Sequence, residues 1–497
     1  MHIVIIGTGI TGASIARVLS IYEDIDIRII DKEPDAGWGV SKANTGIIHP
    51  GHEDDPLKTP LRAKLCAKGN KIWRKWVKEL DIPSKWPGEL MLAFNGKDLR
   101  EFDKYIEWGK KNNVEKMEII DYGKLKSLEN NVSPNAVGAL WVPSAGQISP
   151  WEAVIALIEN AVMNGVKTLF GTKVLDIVIS NYKVIGVKTD KGFIEADIVI
   201  NAAGLYADVV SSMAGLDFFT IHPRKGEYYV FDENSKPRVS RIIHPTPTPV
   251  TKGVYVVTTV DGSLMIGPSA KDLSPNMKED TSTTFEGLEY VWTEAKKLVR
   301  ELPSKTDIVK TFAGLRPEPS TGDFIIEAYD DPWGFINVAG IRSPGLTSAP
   351  AIAYYVVNEL LINRLGLKMK NKKEWNPYRK RIRKITEMDP EELQRSIAED
   401  YRYGKIVCSC RKVSEAEIIE AIKRIKEIGA TPTLDGIKFR TLAMFGQCQG
   451  SFCRKEIANI ISREMKLPLW NITIKGKGSE YVIGDIKMFF KSESHEA

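Results

Sequence analysis

The stretch HIVIIGTGITGASIARVL (2–19), followed by DIRIIDKE (26–33), decides the fold. His2 to Ile6 is a β-branched run with the length and composition of a buried parallel strand. It leads into Gly7-Thr8-Gly9-Ile10-Thr11-Gly12 and then into apolar residues at helical spacing. A second predicted strand, 25–30, ends at Asp31-Lys32. Strand, glycines, helix, strand and acid in that order make the complete dinucleotide-binding βαβ fingerprint. Gly7 makes the tight turn, Gly9 lets the backbone approach a pyrophosphate, and Gly12 lets the helix lie close on the strand. The helix N-terminus then holds the phosphate, and Asp31 accepts hydrogen bonds from ribose hydroxyls.

The fingerprint alone does not separate NAD from FAD. Two later segments do. A predicted strand over 194–200 leads to NAAGLYA (201–207), and GFINVAGIRSPGLTSA (334–349) places glycines before a helix starting near Thr347. Nucleotide-binding segments this far apart point to an FAD oxidoreductase rather than a simple NAD dehydrogenase. The later helix start can aim its N–H groups at the flavin's pyrimidine edge, although an ordinary strand–turn–helix connection reads the same way. The segments GTGITGASIAR (7–17), KANTGIIHPG (42–51), VPSAGQISPWE (142–152), INAAGLYAD (200–208), PRKGEYYVFD (223–232), FAGLRPEPSTGDFII (312–326) and FINVAGIRSPGLTSAPAIA (335–353) resemble the glycine/D-amino-acid-oxidase-like superfamily. More narrowly they resemble the FAD-dependent glycerol-3-phosphate dehydrogenases, in the form of the large subunit of the anaerobic enzyme.

That resemblance implies an α/β fold: an FAD-binding Rossmann-like domain over 1–385, assembled from separated segments, with an inserted antiparallel substrate sheet from about 80–145 and 215–310. Within the sheet, GVYVVTTVDGSLMIG (253–267) reads as a hairpin turning at Asp261-Gly262. The implied FAD contacts are Gly7, Gly9, Gly12, Asp31, Lys32, Thr45, Gly46, Val174, Ala203, Gly204, Gly345, Leu346 and Thr347.

The implied chemistry is oxidation of sn-glycerol 3-phosphate to dihydroxyacetone phosphate by hydride transfer to flavin N5, with a base taking the hydroxyl proton. His49 is the candidate base, because the matching stretch in the family runs along the flavin toward the substrate. Arg316 and Arg342 are candidate anion ligands, since a guanidinium gives bidentate recognition at any working pH. Lys225 is a further candidate, with a solvated charge pair beside Arg224 as its bland reading. The sequence departs from the single-subunit dehydrogenases here: their Lys-Gly-Ser-His is replaced by Lys225-Gly226-Glu227-Tyr228. Tyr228, with an ordinary pKa of about 10, is a poor base near neutrality. The RKGEYY and RAKLCAKGN (62–70) stretches also resemble L-2-hydroxyglutarate oxidases, which keeps a 2-hydroxy acid open as substrate. So does the reading of the chain as a non-catalytic electron-transfer subunit.

The cysteines define a second site. Of five, Cys66 stands alone as an expected core thiol, while Cys408, Cys410, Cys448 and Cys453 form Cys-x-Cys and Cys-x4-Cys pairs. Two close thiol pairs are a metal or cluster site. Cys-x-Cys is tighter than the usual zinc spacing, which leaves zinc as the alternative occupant. VCSCRKVSEAEI and GIKFRTLAMFGQCQGSFCRKEI resemble the bacterioferritin-associated-ferredoxin-like [2Fe–2S] domain, with these four cysteines as its ligands. A small, mainly helical cluster domain and tail is expected over 404–497, behind a charged linker at 386–403 that carries a helix from Asp389-Pro390. The resemblance further implies a second flavoprotein or electron-accepting subunit as partner.

Composition excludes other classes. With 69 basic against 64 acidic residues the 497-residue chain carries a net charge of +5, which does not describe a nucleic-acid binder. At 43% apolar and 27% charged it is globular rather than disordered. No apolar run reaches a membrane span, and MHIVIIG lacks a secretory leader. A cytoplasmic protein is expected, with membrane association only through a partner. Abundant Lys and Glu with four Gln hint at a thermophilic source.

Overall fold

A computed structural model describes residues 1–248 and 251–485. Its residue contacts divide the chain into two units. The first takes 1–32, 37–167 and 172–379; the second takes the chain from Lys380, with the short pieces 33–36 and 168–171. Among the described residues no helix is long and apolar enough to cross a membrane.

A nine-stranded sheet organises the nucleotide half of the first unit. Strand His2–Ile6 lies at its centre, parallel to Asp26–Ile30 on one side and to Ile198–Asn201 on the other. Trp333–Ala339 follows, parallel to Ile198–Asn201. These strands are buried on both faces, which is why they read as continuous apolar runs without alternation. The strand predicted over 194–200 is broken in two. Gly192–Glu195 turns back onto Lys183–Thr189, and Asp197, whose carboxylate accepts the His2 N–H at 2.7 Å, starts a new strand toward the nucleotide turn.

The second nine-stranded sheet contains the segments expected to form the substrate sheet. The predicted hairpin is present as Tyr255–Thr258 and Leu264–Gly267, in register from Tyr255↔Gly267 to Thr258↔Leu264. Two differences from expectation stand out. The sheet extends to Pro319, because Ile308–Pro319 pairs along the whole of Ile221–Phe231. It is also not wholly antiparallel: Ile242–Pro245 runs parallel to Glu89–Ala93. Glu89–Ala93 shows how the sheet sits. Leu90 and Leu92 pack with Val291, Ala295 and Leu298 of helix Phe285–Leu298. Met91 and Ala93, one residue out of phase, pack with Phe102 and Tyr105 of helix Gly96–Lys111. The period of two sends alternate side chains to opposite helices, so Glu89 shares the Tyr105 side.

The boundary falls at Arg379 rather than near 385, for a local reason. The buried Arg379 guanidinium ties the end of the first unit to Glu159 (2.6 Å) and Glu152 (2.7 Å) of helix Pro150–Met163. The expected linker 386–403 belongs to the second unit and is ordered, with helix Pro390–Glu399 capped by Asp389. Beyond it, helix Glu415–Glu427 begins with a capping box between Ser414 and Glu417. Its Ile418, Ile422 and Ile425 are buried, as are Ile457, Ile460 and Ile461 of helix Arg454–Met465. The last part of the expected tail, 486–497, lies outside the described residues.

Candidate functional site

The βαβ turn forms a cradle that side chains would fill. Gly7 adopts φ +106°, and a Cβ there would meet the Ala202 carbonyl at 2.5 Å and the Ala203 Cα at 3.3 Å. A Cβ on Gly12 would lie 2.0 Å from the Gly7 carbonyl oxygen. The strand ending at Asn201 thus delivers Ala202 and Ala203 directly onto the first glycine, with Gly204 next in the chain at φ +57°. Helix Ile10–Leu19 has Gly9 as N-cap, no side-chain cap bond and no acid in its first turn. Ser41 Oγ accepts the first N–H, that of Ile10, at 2.9 Å, and the rest of this N-terminus is left as an anion-binding end. Asp31 closes the turn by accepting from Thr8 N (2.7 Å) and Thr8 Oγ1 (2.5 Å). Lys32 lies over the Tyr206 ring and pairs with Glu279 at 3.0 Å. Val174 starts a strand of the same sheet, opposite Thr189.

A second uncapped helix, Gly345–Tyr355, also has no acid in its first turn. Thr347 Oγ1 accepts the His49 N–H at 2.9 Å, and the Leu346 carbonyl accepts Trp73 Nε1 at 2.9 Å. Gly46, at φ +69°, lets its loop press on the Ile148 carbonyl, where a Cβ would approach to 2.3 Å, and Thr45 accepts from Gln147 at 3.4 Å. Two helix N-termini with no acid in the first turn, glycines in contact with backbone, and a carboxylate at the second strand's end fit a dinucleotide such as FAD.

His49 opens a buried set of titratable groups. Its Nδ1 is sealed from solvent with no hydrogen-bond partner, whereas Nε2 is not sealed. Glu53 faces it: Glu53 Oε2 stands 3.6 Å from His49 Nδ1 and 3.0 Å from Lys252 Nζ, and Oε1 stands 3.9 Å from His244 Nδ1. Burial, then the Lys252 charge, holds the His49 pKa down at about 3, against the opposing pull of Glu53 and Asp54. Burial likewise lowers His52, to about 4, and His244. Burial opposes the Glu53 charge, but Lys252 and then the histidines hold its pKa well below the usual carboxylate range. Glu89, fully buried 3.5 Å from His52, goes the other way: burial first and then Glu53 push it well up.

The arginines sort themselves by partner. Arg342 is in an internal salt bridge with Glu318 at 2.8 Å, and burial lowers its pKa to about 10 despite that partner. Arg224 is taken by Asp272 at 2.6 and 3.0 Å. Arg316, opposite Arg224 in register, reaches the Ser269 carbonyl at 3.3 Å and the Tyr228 hydroxyl, lies against Gly226, and has no carboxylate partner among the described residues. Lys225 is placed elsewhere than its candidate role required. Its buried Nζ is consumed by Asp280 (2.7 Å) and by Ser282 O (3.0 Å), so it anchors the 280–284 loop.

In the second unit the four thiols stand together. Cys408 and Cys410 Sγ are 3.8 Å apart, Cys410 and Cys448 are 3.9 Å apart, and Cys408 donates to Cys453. Among the described residues no three metal-ligating side chains close round a single point. The sulfurs are joined by close contacts from Cys448 to Cys410, to Cys408 and to Cys453, and Cys448 is near enough to Cys453 to act on its charge. Backbone N–H groups of Met444 and Arg411 point at Cys408, and those of Phe452, Gly450 and Ser451 at Cys448. Burial opposes the Cys448 thiolate, but those amides hold its pKa below normal. For Cys453 the Cys408 hydrogen bond does the same. Gly446 keeps the space open, since a Cβ there would meet Cys410 Sγ at 2.5 Å. The Cys453 hydrogen bond and burial push the Cys408 thiol up, and burial pushes Cys410 up, so Cys448 and Cys453 are the two sulfurs favoured as thiolates. Four close sulfurs with amide N–H groups aimed at them fit an iron–sulfur cluster.

Comparison with known proteins decides the family. Residues 2–359 match the model of the FAD dependent oxidoreductases, and 406–463 match the BFD-like [2Fe-2S] binding domain. The chain belongs to the FAD-dependent oxidoreductases. It is 40% identical to a glycerol 3-phosphate dehydrogenase of Caloramator mitchellensis, across 98% of both chains. It is 33% identical to a glycerol 3-phosphate oxidase of Mycoplasma genitalium, over 76% of this chain and 97% of that one. The FAD-bound L-α-glycerophosphate oxidase of Mycoplasma pneumoniae superposes with a TM-score of 0.70 at 30% identity, over 76% of this chain and 98% of the other.

As an FAD-dependent oxidoreductase with a [2Fe-2S] domain, the chain has FAD and that cluster as its cofactors, so the zinc alternative falls away. Lys252 and Glu53 escaped sequence reading. Lys252 sits in the loop before the hairpin and Glu53 in an acidic run, so neither has a local pattern that separates it from a solvated charge. The family assignment also gives the glycines a test. In Gly12→Ala the new methyl meets a backbone oxygen that cannot move aside, so the purified variant is expected to lack flavin absorbance.

Proposed function

We propose that this oxidoreductase converts sn-glycerol 3-phosphate to dihydroxyacetone phosphate and passes the electrons through the cluster to a partner subunit. The observation that carries the substrate class is Arg316. It is a guanidinium with no carboxylate partner among the described residues, beside arginines that each have one. A partly buried guanidinium whose partners, the Ser269 carbonyl and the Tyr228 hydroxyl, are both uncharged calls for an anion, and a phosphate monoester satisfies it bidentately. The named glycerol 3-phosphate relatives support the same substrate.

FAD, when bound, supplies the hydride acceptor at N5, and the cluster supplies a one-electron outlet. The protein's own part is positioning and proton transfer. Arg316 holds the phosphate end, with Arg342 and its partner Glu318 as the fixed neutral wall beside it. His49, neutral because of its depressed pKa, takes the hydroxyl proton at Nε2, which lets the carbinol C–H leave as hydride. The charge that develops on its imidazole is met by the Glu53 carboxylate.

An anaerobic titration tests the proposal. Stoichiometric sn-glycerol 3-phosphate is expected to bleach the flavin band of the oxidised holoenzyme near ~450 nm, with the cluster reduced afterwards. Bleaching only by L-2-hydroxyglutarate would replace the substrate and keep the chemistry. Bleaching by dithionite alone would make the chain an electron-transfer subunit.

A further inference from the structure

We propose that Glu53 is a positioning residue for proton transfer: its carboxylate receives the Nδ1–H of His49 and so fixes the tautomer whose Nε2 lone pair meets the substrate hydroxyl. The inference rests on the reading of His49 as the base. It starts from an orphaned nitrogen and the carboxylate that faces it. His49 Nδ1 is sealed from solvent with no hydrogen-bond partner. Glu53 Oε2, which also takes Lys252 Nζ at 3.0 Å, stands 3.6 Å from that Nδ1. A neutral imidazole carries its proton on one nitrogen only, and the hydrogen bond made by one nitrogen decides what the other offers. Nε2 is the nitrogen not sealed in, so the proton belongs on Nδ1 and its acceptor is Glu53. The gap is just beyond a hydrogen bond, and such bonds are commonly long before substrate is bound.

The other groups around His49 do not compete for this role. His244 faces Glu53 as well, but its Nδ1 lies 3.1 Å from the Pro245 carbonyl, which takes that proton. Asp54 pairs through Oδ1 with Arg62 at 3.1 Å, and its sealed Oδ2 does not come within ion-pair distance of His49 as Glu53 does. Glu89 faces His52, and its burial favours the protonated form. Glu53 stays charged because Lys252 lies 3.0 Å from it, which offsets the cost of burying a carboxylate whose side chain is 2% exposed. Two nearby glutamates are thereby driven apart, one anionic and one neutral, the pattern that separates roles in an active site. In the balanced step the hydroxyl proton goes to Nε2, the hydride goes to the flavin, and the Nδ1 proton remains on His49, shared with Glu53.

Flavin reduction by sn-glycerol 3-phosphate, followed by anaerobic stopped flow in FAD-loaded wild type, E53Q, H49N and the double variant, tests the inference. E53Q is expected to slow the limiting reduction rate on the order of 100-fold and to change the substrate dissociation constant less than about threefold. In the H49N background E53Q should cost nothing further, because Glu53 acts through His49. E53D, which keeps the carboxylate, should recover part of the rate. An equal loss in both backgrounds, or a loss confined to substrate affinity, overturns the inference. Should E53Q fail to load FAD, histidine ¹⁵N NMR of the wild-type holoenzyme, assigned with H49N, decides it. The Nδ1–H tautomer at His49 is expected, and the Nε2–H tautomer overturns it. That spectrum needs no substrate, so a wild-type flavin left unbleached by glycerol 3-phosphate would sink the substrate reading without touching this one.

Discussion

Replacing His49 by Asn is expected to slow flavin reduction by substrate about 10²–10⁴-fold while FAD stays bound. The backbone N–H of residue 49, which Thr347 accepts, survives the change, and Asn keeps a polar group facing Glu53. The loss is therefore that of a proton acceptor, read as a lower limiting rate in anaerobic stopped flow. The pH profile separates this from a general disturbance. A base works when unprotonated, and His49 titrates at about 3 because burial and Lys252 disfavour its charged form. The wild-type reduction rate is thus expected to hold level from pH 8 down to about pH 5, where an ordinary histidine with a pKa near 6.5 would already have failed. A limb centred between pH 6 and 7 would mean another group is the base.

The same burial has a stability consequence with a definite sign. His49, His52 and His244 all titrate lower in the folded chain than in the unfolded one. Below the unfolded value near 6.5 the unfolded state binds protons that the folded state refuses, so stability falls as pH falls toward the folded values of about 3 and 4. Rates at pH 5 belong in short jumps from neutral stock.

What the sequence made legible follows from how local each constraint is. Gly7 and Gly12 are legible because their need is set by contacts with backbone, at a φ or a distance no side chain tolerates. The hairpin at Asp261-Gly262 and the helix from Asp389 are legible because turn and cap chemistry act within a few residues. The buried titratable cluster around His49 is not of that kind. Glu53 and Lys252 are brought to 3.0 Å from positions 199 residues apart, and nothing in either neighbourhood records the encounter. Lys225 shows the converse. Its local sequence matched an anion site, but whether a lysine binds substrate or an internal aspartate depends on where the loop carrying Asp280 returns. Arg342 has the residue type of an anion ligand, but Glu318, on a strand two strands earlier in the chain, pairs with it. The boundary at Arg379 was set by Glu152 and Glu159, far upstream in sequence.

Cys408→Ser is expected to remove the cluster and leave the flavin half working. Cys408 is fully buried and in close contact with both Cys410 and Cys453. Its hairpin strand Ile406–Cys408 pairs with Val413–Ser414, which caps helix Glu415–Glu427, so the sulfur is held by structure that serine leaves in place. The apolar contacts of the second unit, Ile418, Ile422 and Ile425 with Ile457, Ile460 and Ile461, are independent of the thiols. Loss of one ligand therefore should not unfold it. Iron is expected to drop from about two atoms per chain to near none, together with the cluster's electron paramagnetic resonance signal. The first half-reaction should persist near the wild-type rate, because Gly7, Gly12, His49 and Arg316 all belong to the first unit. Turnover with a one-electron acceptor should collapse, with the flavin accumulating reduced. Unchanged turnover in the iron-free variant would show that the cluster is structural, and that electrons leave directly from the flavin.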